Sequence, residues 1–347
     1  MARSAVSGEM DKLRSNLASV ITHLVFDGVA EGALGVGLDV VGAAARLVEA
    51  GLVPVARRAK PLRQRVVSVD GEAVRSGTGR TIAVDGAFSP RGVGAGDVVV
   101  VPGLSAVTEP AVERLLSRAD TARGAELLSR VSARGALVAA SCSATFVLAA
   151  SGLLAGQRAT TTWWLAPEFA RRFPEVSLCA ERMVVEGDGV LTAGSAFAHA
   201  DLMLGVVARV AGPSLAHMVA RYLVLDERVS QARYMVIDHL RTSDPALRAV
   251  ERFVAANIGR QLTLDELAKA AGASARTLAR RAKVALGMTP IEFVQRLRVA
   301  HASHLLETTQ ASVEEVAAGV GYADAAAFRR VFRRYAGETP RGRREAS

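Results

Sequence analysis

Between Thr263 and Pro340 the chain carries two copies of one pattern. Each copy opens with a hydroxyl residue and a glutamate three positions later, at Thr263 with Glu266 and at Ser312 with Glu315. A glycine, an arginine-bearing segment and a Gly-x-Thr-Pro turn then follow in both. Corresponding positions lie 49 residues apart before the turn and 50 after it. A duplicated helix, tight turn and helix predicts two helix-turn-helix units.

Local signals indicate where these helices begin and end. The opening hydroxyl and carboxylate form a capping box, which satisfies the free N–H groups of a helix start. Gly272 and Gly321 stand where a left-handed cap lets the chain turn into the next helix. The first helices are expected to pack inward through Leu264, Leu267, Ala268 and Ala271, and through Val313, Val316, Ala317 and Val320.

The second helix of each unit is predicted to turn arginine side chains outward. Its buried side would carry Leu278, Ala282 and Leu286 in the first unit and Phe328, Phe332 and Tyr335 in the second. Its outer face would carry Arg276 and Arg280, then Arg329, Arg330, Arg333 and Arg334. Such a face fits the major groove and neutralises phosphates. For one helix a solvated basic face is an equal alternative, but duplication favours DNA binding.

One helix, Pro290 to Glu307, is expected between the two copies as a rigid spacer. Residues at core spacing on it are Ile291, Phe293, Val294, Leu297, Ala300, His304 and Leu305. Both second helices would then face one side of a duplex, about 34 Å apart. His301 and His304 lack cysteine or acidic partners, so packing or surface roles are expected rather than metal binding.

Residues from about Leu247 to Arg344 resemble an AraC/XylS-type DNA-binding domain. The matching motifs include Leu267-Ala-Lys-Ala-Ala-Gly272, Arg296-Leu-Arg-Val-Ala300, Val316-Ala-Ala-Gly-Val-Gly-Tyr322 and Phe328-Arg-Arg-Val-Phe332. The resemblance implies DNA contacts from the outward positions of both second helices, namely Arg276, Ala279, Arg280, Ala325, Ala326, Arg329 and Arg330. Ala282 departs from the family, which usually has an aromatic residue there, so a looser first core is expected.

The basic charge is concentrated in the C-terminal third. The formal net charge is +9, and the isoelectric point is near 10.3. Residues 227–347 hold 20 Lys/Arg against 13 Asp/Glu, whereas residues 1–226 hold 23 against 21. This balance predicts a nucleic-acid partner through counterion release, although charge alone would also fit an anionic membrane.

The composition indicates how many domains the chain can form and which cellular compartment suits it. The chain has 347 residues, 50% of them apolar, which allows two domains with separate cores. Cys142 and Cys179 offer neither a disulfide framework nor zinc spacing, which indicates a reducing cytoplasm and no metal. Residues 1–19 are expected to be a disordered tail rather than a secretion signal.

The uncharged stretch Gly135–Gln157 could span a membrane by length, but its serines, glycines and flanking arginines favour a buried strand followed by a buried helix.

The N-terminal region alternates apolar strand and helix patterns, which predicts an α/β doubly wound, mostly parallel sheet. Expected segments are a strand at Val20–Phe26, a helix at Leu34–Ala50, a strand at Leu52–Ala56, a hairpin around Val66–Ala87, a strand at Asp97–Gly103 and helices near Pro110–Leu116 and Arg123–Ala133. Gly35-Val-Gly37 lacks the remainder of a dinucleotide fingerprint, so no cofactor is predicted.

Cys142 lies where the apolar strand Leu137–Ser141 runs straight into a helix. This is the geometry of a nucleophile elbow, in which a helix N-terminus lowers a thiol pKa and offers backbone N–H groups to an oxyanion. A buried structural cysteine is an equal alternative on this motif alone, since a nucleophile also needs a positioned base.

Residues from about Val20 to Tyr222 resemble a PfpI-type, class I glutamine-amidotransferase-like domain. The match lies in Pro102-Gly103-Leu104, the Cys142 elbow, Ala150–Gly156, Arg158–Trp163 and Val185–Gly194. Together with the C-terminal likeness, the chain resembles the GlxA-like branch of AraC regulators. The resemblance implies a flavodoxin-like sensor or dimerisation domain at 20–224, a linker at 225–246 and a DNA-binding domain at 247–347.

The resemblance also implies that catalysis is lost. Thr162 stands at the usual histidine position and Ala33 near the acidic one, with Glu31 and His199 as weaker substitutes. A small molecule, by resemblance a nitrogenous metabolite, would instead bind beside Gly103, Leu104, Cys142, Ser143, Thr162 and Trp163. Trp163 and Trp164 suit a quaternary amine, but core packing is the stronger expectation. The alternative is a Cys142-dependent amidase, peptidase or glyoxalase-like hydrolase.

The expected partners follow from the same resemblance. They are operator DNA, a small-molecule effector and a second copy of the chain, with RNA polymerase as a further candidate. The expected setting is the cytoplasm, in association with the nucleoid, without membrane attachment.

Overall fold

The computed structural model describes residues 19–53, 61–226, 228, 230–231, 244–286 and 288–345. The chain forms two compact units, of which one comprises the residues up to Leu165 with Phe173–Val229 and the other Ala166–Arg172 with the residues from Ser230 onward. The predicted tail lies outside the described residues except for Ser19. Most of the predicted linker, 225–246, lies outside them as well.

A six-stranded sheet forms the centre of the first unit. Its strands are β1 (Ser19–Leu24), β2 (Leu62–Val67), β5 (Val98–Val101), β6 (Leu137–Ser141), β9 (Val184–Glu186) and β10 (Val190–Ala193), in the order β2-β1-β5-β6-β10-β9. All neighbours pair in parallel except β9, which is antiparallel at one edge. The predicted doubly wound, mostly parallel sheet is confirmed.

Two short strand pairs lie outside this sheet. Strands β3 (Val74–Arg75) and β4 (Thr81–Ile82) form an antiparallel hairpin, and β7 (Arg158–Ala159) pairs in parallel with β8 (Ser177–Leu178). The hairpin expected around 66–87 is therefore too long, because Val66 belongs to β2 and pairs with β1. Leu52 and Val53 lie in no strand, and the remainder of the strand expected there lies outside the described residues.

The sheet core is apolar on both faces. All four valines of β5 are buried, as is typical of a parallel sheet covered by helices. Val98 and Val100 pack with residues of α1 (Glu31–Glu49), α6 (Ala198–Ala211) and α7 (Pro213–Tyr222). The other helices of the sequence up to residue 226 are α2 (Glu109–Leu116), α3 (Ala119–Ser132), α4 (Ala144–Ala150) and α5 (Ala166–Arg172).

The uncharged stretch 135–157 forms β6 and α4, as predicted. Both elements are short, and most of their residues are buried against other parts of the unit. Among the helices that the structure describes, none has the length and apolar character needed to cross a bilayer.

The described residues after position 243 form seven helices. They are α8 (Pro245–Ala256), α9 (Leu264–Ala270), α10 (Ala275–Leu286), α11 (Pro290–Thr308), α12 (Val313–Gly319), α13 (Ala325–Ala336) and α14 (Pro340–Glu345). The two helix-turn-helix units are α9–α10 and α12–α13, and α11 is the spacer. The predicted all-α C-terminal domain is confirmed.

Four residues expected in the core of this region are instead exposed. Leu264 and Ile291 are each about two-fifths exposed, and Ala300 and His304 lie on the surface. Leu264 and Ile291 belong to the first turns of α9 and α11. A helical repeat fixes which side of a helix is apolar but not how far along the helix that side is covered.

Candidate DNA interface and elbow site

The first helix-turn-helix unit is built as its capping signals predicted. The Thr263 hydroxyl accepts the N–H of Glu266 at 3.3 Å, and the Glu266 carboxylate accepts the N–H of Thr263 at 2.8 Å. Gly272 adopts a φ of +60° in the turn, where a side chain would be strained. The Ser274 hydroxyl then accepts the N–H of Thr277 at 3.2 Å. These contacts fix the entry of α10.

Helix α10 shows the predicted division into two faces. Its inner face buries Leu278, Ala282 and Leu286 completely. Arg276 and Arg280 are exposed, and Ala279 between them is half-buried. Within the described residues neither arginine forms an ion pair. Both guanidinium groups therefore remain available for an anionic partner.

The second unit has the same geometry with a larger core. Ser312 and Glu315 form the capping box, and Gly321 turns the chain at a φ of +81°. The Asp324 carboxylate caps α13 by accepting the N–H groups of Ala326 and Ala327. Phe328, Phe332 and Tyr335 are buried, as predicted. The exposed residues of α13 include Ala326, Arg329, Arg330, Arg333 and Arg334, while Ala325 is half-buried.

Two arginines of α13 are paired with carboxylates of the same domain. Arg329 forms an ion pair with Glu314 of α12, and Arg334 lies 3.4 Å from Glu292 of α11. In the described part of the chain Arg330 has no such pair. The second helices of the two units therefore present their positive charge differently, since α10 offers unpaired arginines and α13 a partly paired set.

The spacer α11 carries a buried arginine that the sequence pattern did not reveal. Arg298 is 6% exposed and donates to the backbone carbonyls of Arg260 at 2.5 Å and Gly321 at 3.3 Å. Its guanidinium lies 5.5 Å from the centre of the Tyr322 ring. A Cβ atom at Gly321 would lie only 2.7 Å from the carbonyl oxygen of Ile258. Arg298 thus ties the turn of the second unit to the segment that precedes the first.

In the N-terminal unit, Cys142 occupies the predicted elbow between β6 and α4. Its φ of +56° is one of two positive values on non-glycine residues of the described chain. Its N–H donates to the carbonyls of Ala193 and Gly194 at 3.0 and 2.6 Å. Residues held in this way often mark functional sites, because the surrounding structure must offset the strain.

Five of the six predicted pocket residues meet at this elbow. Ser143 donates to the carbonyl of Leu104 at 2.5 Å, and a Cβ atom at Gly103 would lie 3.1 Å from Cβ of Cys142. Thr162 contacts the Cys142 thiol through its hydroxyl and lies 3.4 Å from the hydroxyl of Ser195. The sixth residue, Trp163, packs edge-on against Trp164.

The thiol environment does not favour a nucleophile. Cys142 is 4% exposed, and burial raises the pKa of its thiol, an effect larger than the opposing hydrogen bonds from Ser143 and Thr162. The pKa-lowering effect of a helix start, expected for an elbow, is therefore outweighed by the removal of solvent.

The two substitutes proposed for the missing catalytic partners make other contacts. Glu31 accepts hydrogen bonds from Ser76 and Thr78 of the β3–β4 hairpin, and these hold its pKa below the usual value. His199 is fully buried, and its Nδ1 lies 2.9 Å from the hydroxyl of Ser141. Neither contact would activate the Cys142 thiol.

His199 belongs to a buried imidazole pair with His23. Burial lowers the pKa of His23 to about 4 and that of His199 to about 3. His23 Nε2 lies 3.2 Å from Gln64 Oε1. A Cβ atom at Gly37 of α1 would lie 2.9 Å from His199 Nε2 and 3.2 Å from His23 Cε1. Both rings are therefore neutral and closely packed against glycine.

Together, the duplicated helix-turn-helix and the elbow-bearing parallel sheet define a class of protein, a DNA-binding regulator with an amidotransferase-like domain. Residues 267–346 match the helix-turn-helix domain family, and residues 38–209 match the DJ-1/PfpI family. The chain is 31% identical to the HTH-type transcriptional regulator GlxA of Rhizobium meliloti over 232 residues, which cover 66% of this chain and 71% of the relative.

A second relative covers more of the chain. The HTH-type transcriptional regulator CdhR of Pseudomonas aeruginosa is 31% identical over 275 residues, or 78% of each protein. A solved THiJ/PfpI family protein from Pseudomonas syringae superposes with a TM-score of 0.49 at 20% identity, covering 74% of this chain and 91% of the other. The chain belongs to the family of helix-turn-helix transcriptional regulators that carry a DJ-1/PfpI domain, and it is a DNA-binding transcription regulator.

Proposed function

We propose that this regulator reads its operator through α10 and α13. The proposal rests on the observation that both second helices expose arginines on the face opposite their buried core. The contact residues would be Arg276, Ala279, Arg280, Ala325, Ala326, Arg329 and Arg330. Arginine side chains in the major groove bind guanine edges and phosphates, whereas the alanines offer methyl contacts to thymine.

Footprinting of the full chain on genomic fragments tests this proposal. Arg280→Ala and Arg330→Ala should each weaken binding at the preferred site by about 1 to 3 kcal/mol. Arg252→Ala is the matched control, since Arg252 is an exposed arginine of α8 outside both recognition helices. Failure to protect any sequence above the nonspecific background would contradict sequence-specific recognition. An equal loss in all three variants would contradict the assigned residues.

We propose further that the N-terminal unit senses a small molecule and performs no catalysis. The support is the buried Cys142 with a raised pKa, together with Thr162 in place of a base. The effector would bind beside Gly103, Leu104, Cys142, Ser143, Thr162 and Trp163. The likeness to GlxA-like regulators favours a nitrogenous metabolite. To act as a switch, that ligand must bind one arrangement of the protein more tightly than another.

Thiol reactivity separates this role from the hydrolase alternative. In the native chain, iodoacetamide should modify the half-buried Cys179 well before Cys142, because a buried thiol with a raised pKa has little thiolate at neutral pH. Mass spectrometry of the modified peptides measures both rates. Rapid Cys142 alkylation, or amidase or glyoxalase turnover that Cys142→Ser abolishes, would instead support a hydrolase.

We also propose that the chain acts as a cytoplasmic homodimer on the nucleoid, with RNA polymerase as a candidate partner. A dimer with two DNA-binding domains would bind paired half-sites. Sedimentation of the full chain at micromolar concentration should give twice the monomer mass of 36.4 kDa. A monomer at that concentration, with or without DNA, would contradict the dimer.

A further inference from the structure

A cavity with basic walls lies in the N-terminal unit, separate from the elbow. Its volume is about 600 Å³, and its lining includes Phe88, Pro90, Arg91, Arg123, Arg130 and Arg134. No lining residue is acidic. This size is within the range of small-molecule sites. None of the lining residues belongs to the elbow.

One wall of the cavity is a single flank of α3 and the turn after it. Arg123, Leu127, Arg130 and Arg134 follow one another at intervals of four, three and four residues, which places them on the same side of a helix. Leu127 is buried, whereas all three arginines are exposed. The helical repeat therefore aligns their guanidinium groups along one edge.

A short 3-10 helix, Pro90–Gly92, that precedes β5 also lines the cavity. Ser89 caps it by accepting the N–H of Arg91 at 3.4 Å. Arg91 is exposed, has no ion pair with another described residue, and lines the same cavity as the arginines of α3 and the turn after it. Two separate segments of the chain therefore bring positive charge to this cavity.

Three of the four guanidinium groups are held in place by contacts that leave a net positive charge. Arg123 and Arg130 share one carboxylate, that of Glu126, each at 2.5 Å. Arg134 donates through Nε to the carbonyl of Val93 at 3.0 Å, so its other nitrogens remain available. Four arginines and no acidic residue line the cavity, so the cavity has an excess of positive charge even though Glu126 pairs with two of them.

We propose that this cavity binds a small anion that carries phosphate, with at least two negative charges on the phosphate groups. Guanidinium groups bind phosphate oxygens in bidentate pairs, and four of them line this cavity. Four arginines at one compact site suit a small molecule, whereas the backbone of a nucleic acid would need an extended basic track. The site is independent of the proposed effector pocket.

Calorimetric titration of the full chain with inorganic pyrophosphate and with ATP tests the proposal. We expect binding at low salt that is lost in high salt, since exposed charges are screened. Arg91→Ala/Arg123→Ala should weaken it about tenfold or more, because the double variant lacks two of the four guanidinium groups that line the cavity. Arg63→Ala, an exposed arginine on β2 away from the cavity, is the matched control and should leave the affinity unchanged.

Three results of the pyrophosphate titration would overturn the proposal. The native chain does not bind pyrophosphate, the double variant binds it as tightly as the native chain, or Arg63→Ala weakens binding as much as the double variant does. Titration with duplex DNA tests whether the arginines bind the phosphates of DNA and not those of a small anion. If the double variant loses DNA affinity in step with pyrophosphate affinity, the arginines contact the DNA backbone and the small-anion site is wrong. Arg91→Glu, a single change confined to the 3-10 helix Pro90–Gly92, provides the same comparison if the double variant fails to fold.

Discussion

At Gly37 the absence of a side chain allows two buried histidines to approach helix α1. The rings are fixed from the other side, since His199 bonds to Ser141 and His23 to Gln64. Gly37→Ala should therefore lower the free energy of unfolding by about 1 to 3 kcal/mol, because the added methyl group would lie 2.9 Å from His199 Nε2 and overpack the core. Denaturation followed by tryptophan fluorescence measures the change, since Trp163 and Trp164 are the chain's two tryptophans.

Gly35, in the same helix, provides the control. A Cβ atom there would have nothing within 4 Å, so Gly35→Ala should stabilise the unit by about 0.5 to 1 kcal/mol through reduced chain entropy. If both variants shift stability in the same direction by similar amounts, the close packing at Gly37 is contradicted.

The structural role of an individual residue was predictable where the neighbouring sequence alone determines it. The elbow position of Cys142 follows from a strand that meets a helix, and the glycine caps follow from the turn. The burial of Arg298 was not predictable, because it depends on carbonyl groups of Arg260 and Gly321 that lie far from it in sequence. The raised pKa of Cys142 likewise results from tertiary packing, which no motif specifies.

Among the secondary-structure elements, the two recognition helices differ in how their arginines are neutralised. Glu314 of α12 pairs with Arg329, and would compete with DNA for that side chain if Arg329 contacts DNA as we propose. Glu314→Gln should raise affinity for nonspecific duplex DNA by about two- to fivefold, because an exposed ion pair contributes up to about 1 kcal/mol. Fluorescence anisotropy at several salt concentrations measures this gain.

The corresponding residue of the first unit is Asp265, 49 positions earlier. It is exposed, and no ion pair joins it to another described residue. Asp265→Asn removes the same charge without releasing an arginine, so it should raise the affinity less. Equal gains in both variants would show that general charge, rather than the release of Arg329, controls binding.

Secondary-structure elements were predicted best where capping residues mark their ends. The helices that a capping box opens begin where the sequence indicates, and α11 has such a box as well, formed by Thr289 and Glu292. The error in the hairpin around 66–87 has a physical cause. An alternating pattern predicts a strand but does not indicate which strand it pairs with. Val66 pairs with His23 of β1, which is distant in sequence, and not with the next strand along the chain.

For the whole molecule, the neutral histidine pair predicts acid sensitivity. Their folded pKa values, about 4 and about 3, lie below the ordinary 6.5. The unfolded chain therefore binds more protons as the pH falls below 6.5, and folded stability decreases in that direction. Between pH 7 and pH 5 each histidine should remove about 2 kcal/mol from the free energy of unfolding, as measured by urea denaturation.

His199→Gln should reduce this pH dependence by about half, although it will also lower stability at pH 7. His217→Gln is the control, since His217 is exposed on α7 and should leave the pH dependence unchanged. A pH profile that is the same in the native chain and in both variants would contradict neutral, buried imidazoles.

The order of strands in the sheet has a consequence for synthesis on the ribosome. The elbow requires β10, because the Cys142 N–H bonds to Ala193 and Gly194, yet Ala193 is made 169 residues after the end of β1. At about 5 to 20 residues per second, this delay is roughly 8 to 34 s. Until then β6 has an open hydrogen-bonding edge, so a nascent chain stalled before Ala193 should be bound by chaperones, whereas the later helical unit can fold on its own local contacts.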